Sequence, residues 1–193
     1  MLTQDQIQAL KAPFPAEALS ADTSRGFELT SIKAAFIIER LNEVFGPCGT
    51  GWRYVHSPFE ELVTPDGRPE IVTEVALQYH CPATHECAGT DPVVWDAQAH
   101  DWSFLKHTST HDWSEPILAC GGHAIGKGAA PLTDARKSAV TDGLTKAASM
   151  IGVGHQVFKG QARAEQSARP QPNGGNGHKG QPDATAFWTL YRT

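Results

Sequence analysis

A chain of 193 residues holds one ordinary domain with a real core, or one domain and a tail. Apolar residues make up 40% and aromatics 8%, a globular composition, and no apolar run approaches the roughly 20 residues of a membrane-spanning helix. The net charge of −5 excludes a wholesale basic coat for nucleic acid. Residues 123–163, however, carry six Lys/Arg (Lys127, Arg136, Lys137, Lys146, Lys159, Arg163) against Asp134 and Asp142. That segment is therefore +4 and the remainder −9. Local charge decides where an anion docks.

The opening "MLTQDQIQALKAPFP" has no basic segment followed by an apolar one, so a secretory signal is not expected and the protein is placed in the cytoplasm. Four cysteines (Cys48, Cys81, Cys87, Cys120) in such a chain read as reduced thiols rather than a disulfide frame.

In chain order, "TQDQIQALKAPF" predicts a short helix broken by Pro13 and Pro15, and residues 16–28 read as a loop. "TSIKAAFIIERLNEVFG" predicts a helix behind the caps Thr30 and Ser31. Its apolar residues Ala34, Ile37, Ile38, Leu41, Val44 and Phe45 recur at helical spacing, and Gly46-Pro47 ends it. "WRYVHS" predicts a strand, "PDGRP" a turn, and "EIVTEVALQYH" a strand with Ile71, Thr73, Val75, Leu77 and Tyr79 on one face. "VVWDAQ" and "SFLKHTST" are candidate strands, and "HDW" occurs twice, at His100 and His111. "PILACGGHAIGKG" reads as a strand running into a glycine-rich loop.

"DARKSAVTDGLTKAASMIGVG" predicts a long helix capped by Thr133 and closed by Gly152 or Gly154. Val140, Leu144, Ala147, Ala148 and Ile151 form its buried stripe. Gly143 costs about 1 kcal/mol against Ala in a helix, which points to close packing against a sheet or another subunit. Residues 161–183 are rich in Gln, Asn, Gly, Pro and Arg/Lys with almost nothing apolar and predict a disordered tail or linker, ending in the aromatic "ATAFWTLYRT". The expected organisation is a domain over 1–160 and a tail over 161–193. Strands grouped between helices give an α+β fold, an antiparallel sheet packed against the long helix.

The chain lacks G-x-S-x-G, a redox C-x-x-C and a phosphate loop. Asp96, Asp101 and Asp112 could hold magnesium, but loop acids are usually solvated. Zinc takes four N/S ligands in closely spaced pairs. His80, Cys81, His85 and Cys87, with Cys120 and His123, supply the residue types but not a finger spacing; the other reading is a hairpin loop with incidental thiols. The basic helix offers a third chemistry. Cations along its exposed edge can follow a phosphate backbone without reading bases; the plain alternative is ion pairing with Asp134 or Asp142.

Two stretches taken together, "LNEVFGPCGTGW" (residues 41–52) and "ARKSAVTDGLTKAASMIGVG", resemble the annealing domain of the Rad fifty-two family of recombination proteins, including bacterial and phage relatives such as the DdrA group. The resemblance spans about residues 30–157. It implies a β-β-β-α core assembled into a homo-oligomeric ring, with single-stranded DNA held by its phosphates in a basic groove. It also implies annealing in recombination and repair, with no enzymatic step and no cofactor. The family's groove-lining basic pair falls on Thr145 and Lys146, and a further basic position falls on Ser149, so only Lys146 keeps the charge. Arg136 and Lys137 match basic residues at the helix start, while Lys127 and Arg25 lie near basic positions. The DNA-binding residues so implied are Arg136, Lys137, Lys146, Lys127, Arg25 and Lys159. The alternatives are a zinc-stabilised or metal-dependent module around His80, Cys81, Cys87, Cys120 and His123, or a ring scaffold recruiting a recombination or replication protein through the aromatic tail. No membrane partner is expected.

Overall fold

Thr3 opens the first helix with a reciprocal capping box. Its hydroxyl accepts from the Gln6 N–H while the Gln6 side-chain oxygen accepts from the Thr3 N–H. In the computed structural model, which describes residues 2–22, 29–81, 90–105, 113–127 and 130–160, this helix is α1 (Gln4–Lys11). The predicted tail over 161–193 lies outside the described residues.

Where the sequence predicts a loop, the structure has a 3-10 turn (Ala16–Ala18) and a ribbon, β1 (Leu19–Asp22) antiparallel to β2 (Leu29–Ile32). Thr30 and Ser31 are therefore strand residues and not helix caps, and α2 (Ala34–Phe45) begins only after Lys33. The β-branched Thr30 and Ile32 suit the pleated ribbon. The Ser20 and Ser31 hydroxyls hydrogen-bond across it at 2.8 Å. The helix buries Ile37 and Leu41 and stops at Gly46, whose φ of 92° suits glycine.

The main sheet is built around the long strand β5 (Pro69–Tyr79). Along one side run β3 (Trp52–His56) and β4 (Glu60–Val63), both antiparallel to it. His56 opposes Val75 and Glu60 opposes Val72, so three residues face two across a one-residue bulge. Pro58 sits in it, where its missing N–H costs no ladder bond. Ser57 keeps the ladder connected: its N–H donates to the Glu74 carbonyl at 2.8 Å and its hydroxyl accepts from the Glu74 N–H at 2.9 Å.

Next in the chain, β6 (Val93–Asp96) and β7 (Asp101–Phe104) form a hairpin; β6 falls within the candidate strand "VVWDAQ", whereas β7 starts two residues before "SFLKHTST" and shares only Ser103 and Phe104 with it, residues 106–110 lying outside the described residues. Gln78, fully buried, fastens this region to the sheet. Its amide nitrogen donates to the Asp91 and Ser114 carbonyls, and its oxygen accepts from the Val93 N–H at 2.7 Å. Both faces of β5 are therefore covered near its end. Ala76 and Gln78 are buried beside the predicted Val75 and Leu77, which a period-two reading alone does not show. The other side of β5 pairs with β8 (Ile117–Ala124).

The long helix, α3 (Pro131–Met150), starts at Pro131, with Ala130 in the N-cap position and Thr133 inside the first turn. Proline's fixed φ and missing N–H favour the first helical position, which displaces the predicted threonine cap. Trp52, Val75, Leu77 and Ala119 from the sheet join Ile37 and Leu41 of α2 and Leu144, Ala147 and Ala148 of α3 in one core. Val140 and Ile151 of the predicted stripe are only partly buried, while Ala135 and Ala139 carry it toward the helix start.

Glycine permits the close approach of α3 to the sheet. A Cβ on Gly143 would come within 2.6 Å of Val75 Cγ2, and one on Gly121 would run into the Ala139 carbonyl. The close packing that Gly143 predicted is thus against the sheet. A short α4 (His155–Phe158) packs near β2. The fold is α+β, with antiparallel sheets and helices packed against them. No helix among the described residues is long and apolar enough to cross a membrane.

Candidate nucleic-acid interface

The "ARKSAVTDGL" stretch forms the first half of α3, and its small residues do the packing. Ala135, Ala139, Gly143 and Ala147, four apart, are buried against the sheet. Between them Asp142 reaches the outer edge of β8. Its Oδ2 accepts from the Gly122 N–H at 3.0 Å and from Lys146 Nζ at 2.7 Å, and Lys146 Nζ also donates to the Cys120 carbonyl at 3.1 Å. The lysine that the resemblance places in a DNA groove is therefore in an ion pair and attached to an edge strand, with its side chain half exposed at 51%.

Arg136 stands elsewhere. The bulge after β3 turns Phe59 under the start of α3, where it packs on Ile71, Ala135 and Ala139 together with Ile125. The Arg136 guanidinium lies over the Phe59 ring, 5.3 Å from its centroid. This cation–π contact holds the side chain of Arg136, an exposed residue, against the ring. Lys127 follows Ile125 by two residues and is exposed at the same end of the sheet. Glu61, in register with Ile71, is exposed on this side too, so the local field is mixed in sign.

The six implied cations do not form a single stripe. At 100° per residue, Lys137 and Lys146 lie about 180° apart around α3, and ten residues put Arg136 and Lys146 about 15 Å apart along it. Arg136, Lys137 and Lys127 gather at the start of the helix, Lys146 sits on the β8 edge, and Lys159 follows α4. Arg25 lies outside the described residues. Of the uncharged substitutes, the Ser149 hydroxyl donates to the Lys146 carbonyl at 2.7 Å, an ordinary intrahelical bond.

The zinc alternative is not brought together. Cys120 opposes Glu74 on β5, six residues before His80, which is about 20 Å of strand. His123 opposes Ile71, farther still. Ligands of one zinc ion lie within about 4 Å of each other, so His80 and Cys81 cannot share an ion with Cys120 or His123. Cys87 and His85 lie outside the described residues. Among the described residues no three His, Cys, Asp or Glu side chains converge as metal ligands; Asp112 of the magnesium possibility is not among them.

Two residues escape a reading based on charge and spacing. Phe59 is one, and the Ser-Pro-Phe run that breaks the β3 pattern is its signal. Arg53 is the other. Burial pushes its pKa down, its guanidinium lies over the Trp113 ring at 5.7 Å from the centroid, and it donates to the Val93 carbonyl at 3.2 Å. That arginine joins strand to hairpin and is not free for phosphate. Compared with known proteins, the chain matches no family model and no curated sequence.

Proposed function

We propose that residues 1–160 bind single-stranded DNA by its phosphate backbone and anneal complementary strands, as a ring-forming homo-oligomer acting in recombination and repair. One observation carries this reading. The annealing-type motif coincides with the helix that follows the strands of a four-stranded antiparallel sheet and docks on it, and its Asp142 and Gly143 serve that docking. Arg136, Lys137 and Lys127 form the principal phosphate-binding group, with Lys146, Lys159 and Arg25 as secondary positions. Bases left outward by backbone contacts can test a second strand, and the process uses no cofactor and no bond-making step.

Self-assembly would use the edge of β4 that faces away from β5, along which no strand pairs among the described residues. All four of its residues are exposed, including Leu62 and Val63, and an unpaired strand edge is a ready template for another chain. The Asp142–Lys146 pair occupies part of the opposite edge, on β8. Annealing of two labelled complementary oligonucleotides, with the mass of the intact particle measured with and without DNA, tests the reading. Acceleration without nucleotide or metal, by a particle of several chains, is expected. A monomer that neither binds nor anneals would refute it.

A further inference from the structure

The β4–β5 turn fixes which way the backbone groups of β4 point. The Thr64 N–H donates to the Arg68 carbonyl at 2.9 Å, so these two residues form a hydrogen-bonded pair. Bonded and unbonded pairs alternate along an antiparallel ladder. Leu62 and Glu60 therefore bond to β5, and the N–H and C=O groups of Glu61 and Val63 point away from it. Pro69, opposite Val63, has no N–H and suits the unbonded position. Along that outer side no strand pairs among the described residues. Leu62 and Val63 are 49% and 73% exposed, and among the described residues Glu60 and Glu61 are in no ion pair. Folded chains normally cover such an edge or twist it away.

Residues 184–193, "ATAFWTLYRT", match that edge. Phe187, Trp188, Thr189 and Tyr191 favour strands, and alternation puts Trp188, Leu190 and Arg192 on one side with Phe187, Thr189 and Tyr191 on the other. We propose that this segment adds to β4 of the same chain as an antiparallel strand, with Leu190 opposite Leu62 and Arg192 opposite Glu60. In this register Tyr191 and Thr189 exchange backbone bonds with Glu61 and Val63, the two residues of β4 whose groups point outward. Leu190–Leu62 and Arg192–Glu60 are then the unbonded pairs, where facing side chains come closest. One pair is apolar and the other oppositely charged. A parallel strand matching the two leucines would set Trp188 against Glu60 and Arg192 against Thr64, leaving both charges without a partner.

The 23 residues over 161–183, rich in Gly, Gln and Pro, span roughly 25 Å on average as a coil. A domain over residues 1–160 has a radius of gyration of about 15 Å, so β4 is within reach. Attachment gives an effective concentration on the order of millimolar, which favours the chain's own segment over a neighbour's in dilute solution. The docking does not rest on DNA binding. Its consequence for assembly does rest on the reading above, because an edge that holds this segment must release it before a second chain can pair there.

Amide hydrogen exchange of the full chain, followed by NMR without DNA over a range of dilutions, tests the docking. The Glu61 and Val63 amides should exchange at least about tenfold more slowly than in Thr189→Pro, which removes a donor to the Val63 carbonyl. Glu60→Arg and Arg192→Glu should each lose most of that protection, and the double variant should recover it. Particle mass is measured on the same samples. Protection that survives Thr189→Pro, that grows only as the particle mass grows, or that the double charge swap fails to restore would overturn the proposal. DNA is absent throughout, so failure here is distinct from a failure to anneal.

Discussion

Asp142 and Lys146, one helical turn apart and 2.7 Å from carboxylate to ammonium, together hold the outer edge of β8. The acidic residue of the motif is thus an edge clamp, and it neutralises the lysine beside it. Asp142→Asn keeps an acceptor for the Gly122 N–H and removes the counter-charge. Affinity for single-stranded DNA, read by fluorescence anisotropy, should rise modestly. Asp142→Ala should cost about 1–2 kcal/mol of stability in urea titration, because a backbone donor is left without its partner. Lys146→Ala should cost under about 1 kcal/mol, as an exposed pair does. A fall in DNA affinity with Asp142→Asn would contradict this assignment.

The close approach of Gly121 and Gly143 yields a prediction opposite to helix propensity. Ala at an exposed helix position gains about 1 kcal/mol over Gly. Gly143→Ala should instead destabilise, by about 1–3 kcal/mol, since its methyl would press on Val75 and the Ala119 carbonyl. Gly121→Ala meets helix backbone, which cannot rotate away, and should cost more. Urea midpoints of the two variants settle the order.

Arg136 separates binding from stability. Arg136→Ala removes a cation–π interaction worth about 0.5–1 kcal/mol at an exposed site. The thermal midpoint should hardly move while the DNA dissociation constant rises severalfold. Arg136→Lys should recover most of the binding, because a phosphate accepts a point charge. Equal losses in both measurements for Arg136→Ala would make the residue structural.

How far the fold was legible follows from what each residue answers to. The β5 face, β6 and α3 were readable because period and composition report burial directly, whereas β7 lies mostly before the stretch its composition pointed to. The β1–β2 ribbon was not, since its pairing is a tertiary choice that overrides the capping habit of Thr30 and Ser31. Gly143 announced a close approach, and its partner Gly121 became visible only in register. The basic residues of α3 were legible as charges but not as positions. Helical geometry separates Lys137 from Lys146, and a bulge in another strand decides where Arg136 rests.

The β6–β7 turn has a defined acid response. Asp96 accepts from the Ala99 and Gln98 N–H groups, at 3.1 and 2.8 Å, and these bonds hold its carboxyl below the usual carboxylate range. A depressed folded pKa contributes stability that is present above the unfolded value and lost as pH falls through the folded one. Exchange protection of the Gln98 and Ala99 amides should therefore persist to below about pH 4. Asp96→Ala should remove it at neutral pH.

The most direct test of backbone binding at the start of α3 is the salt dependence of single-stranded DNA affinity, for the full chain and for the Arg136→Ala/Lys137→Ala double variant. The logarithm of the binding constant should fall linearly with the logarithm of salt concentration. The double variant should show a slope shallower by about 0.7 for each phosphate it no longer neutralises. Binding that ignores salt, or an unchanged slope in the double variant, would contradict the account.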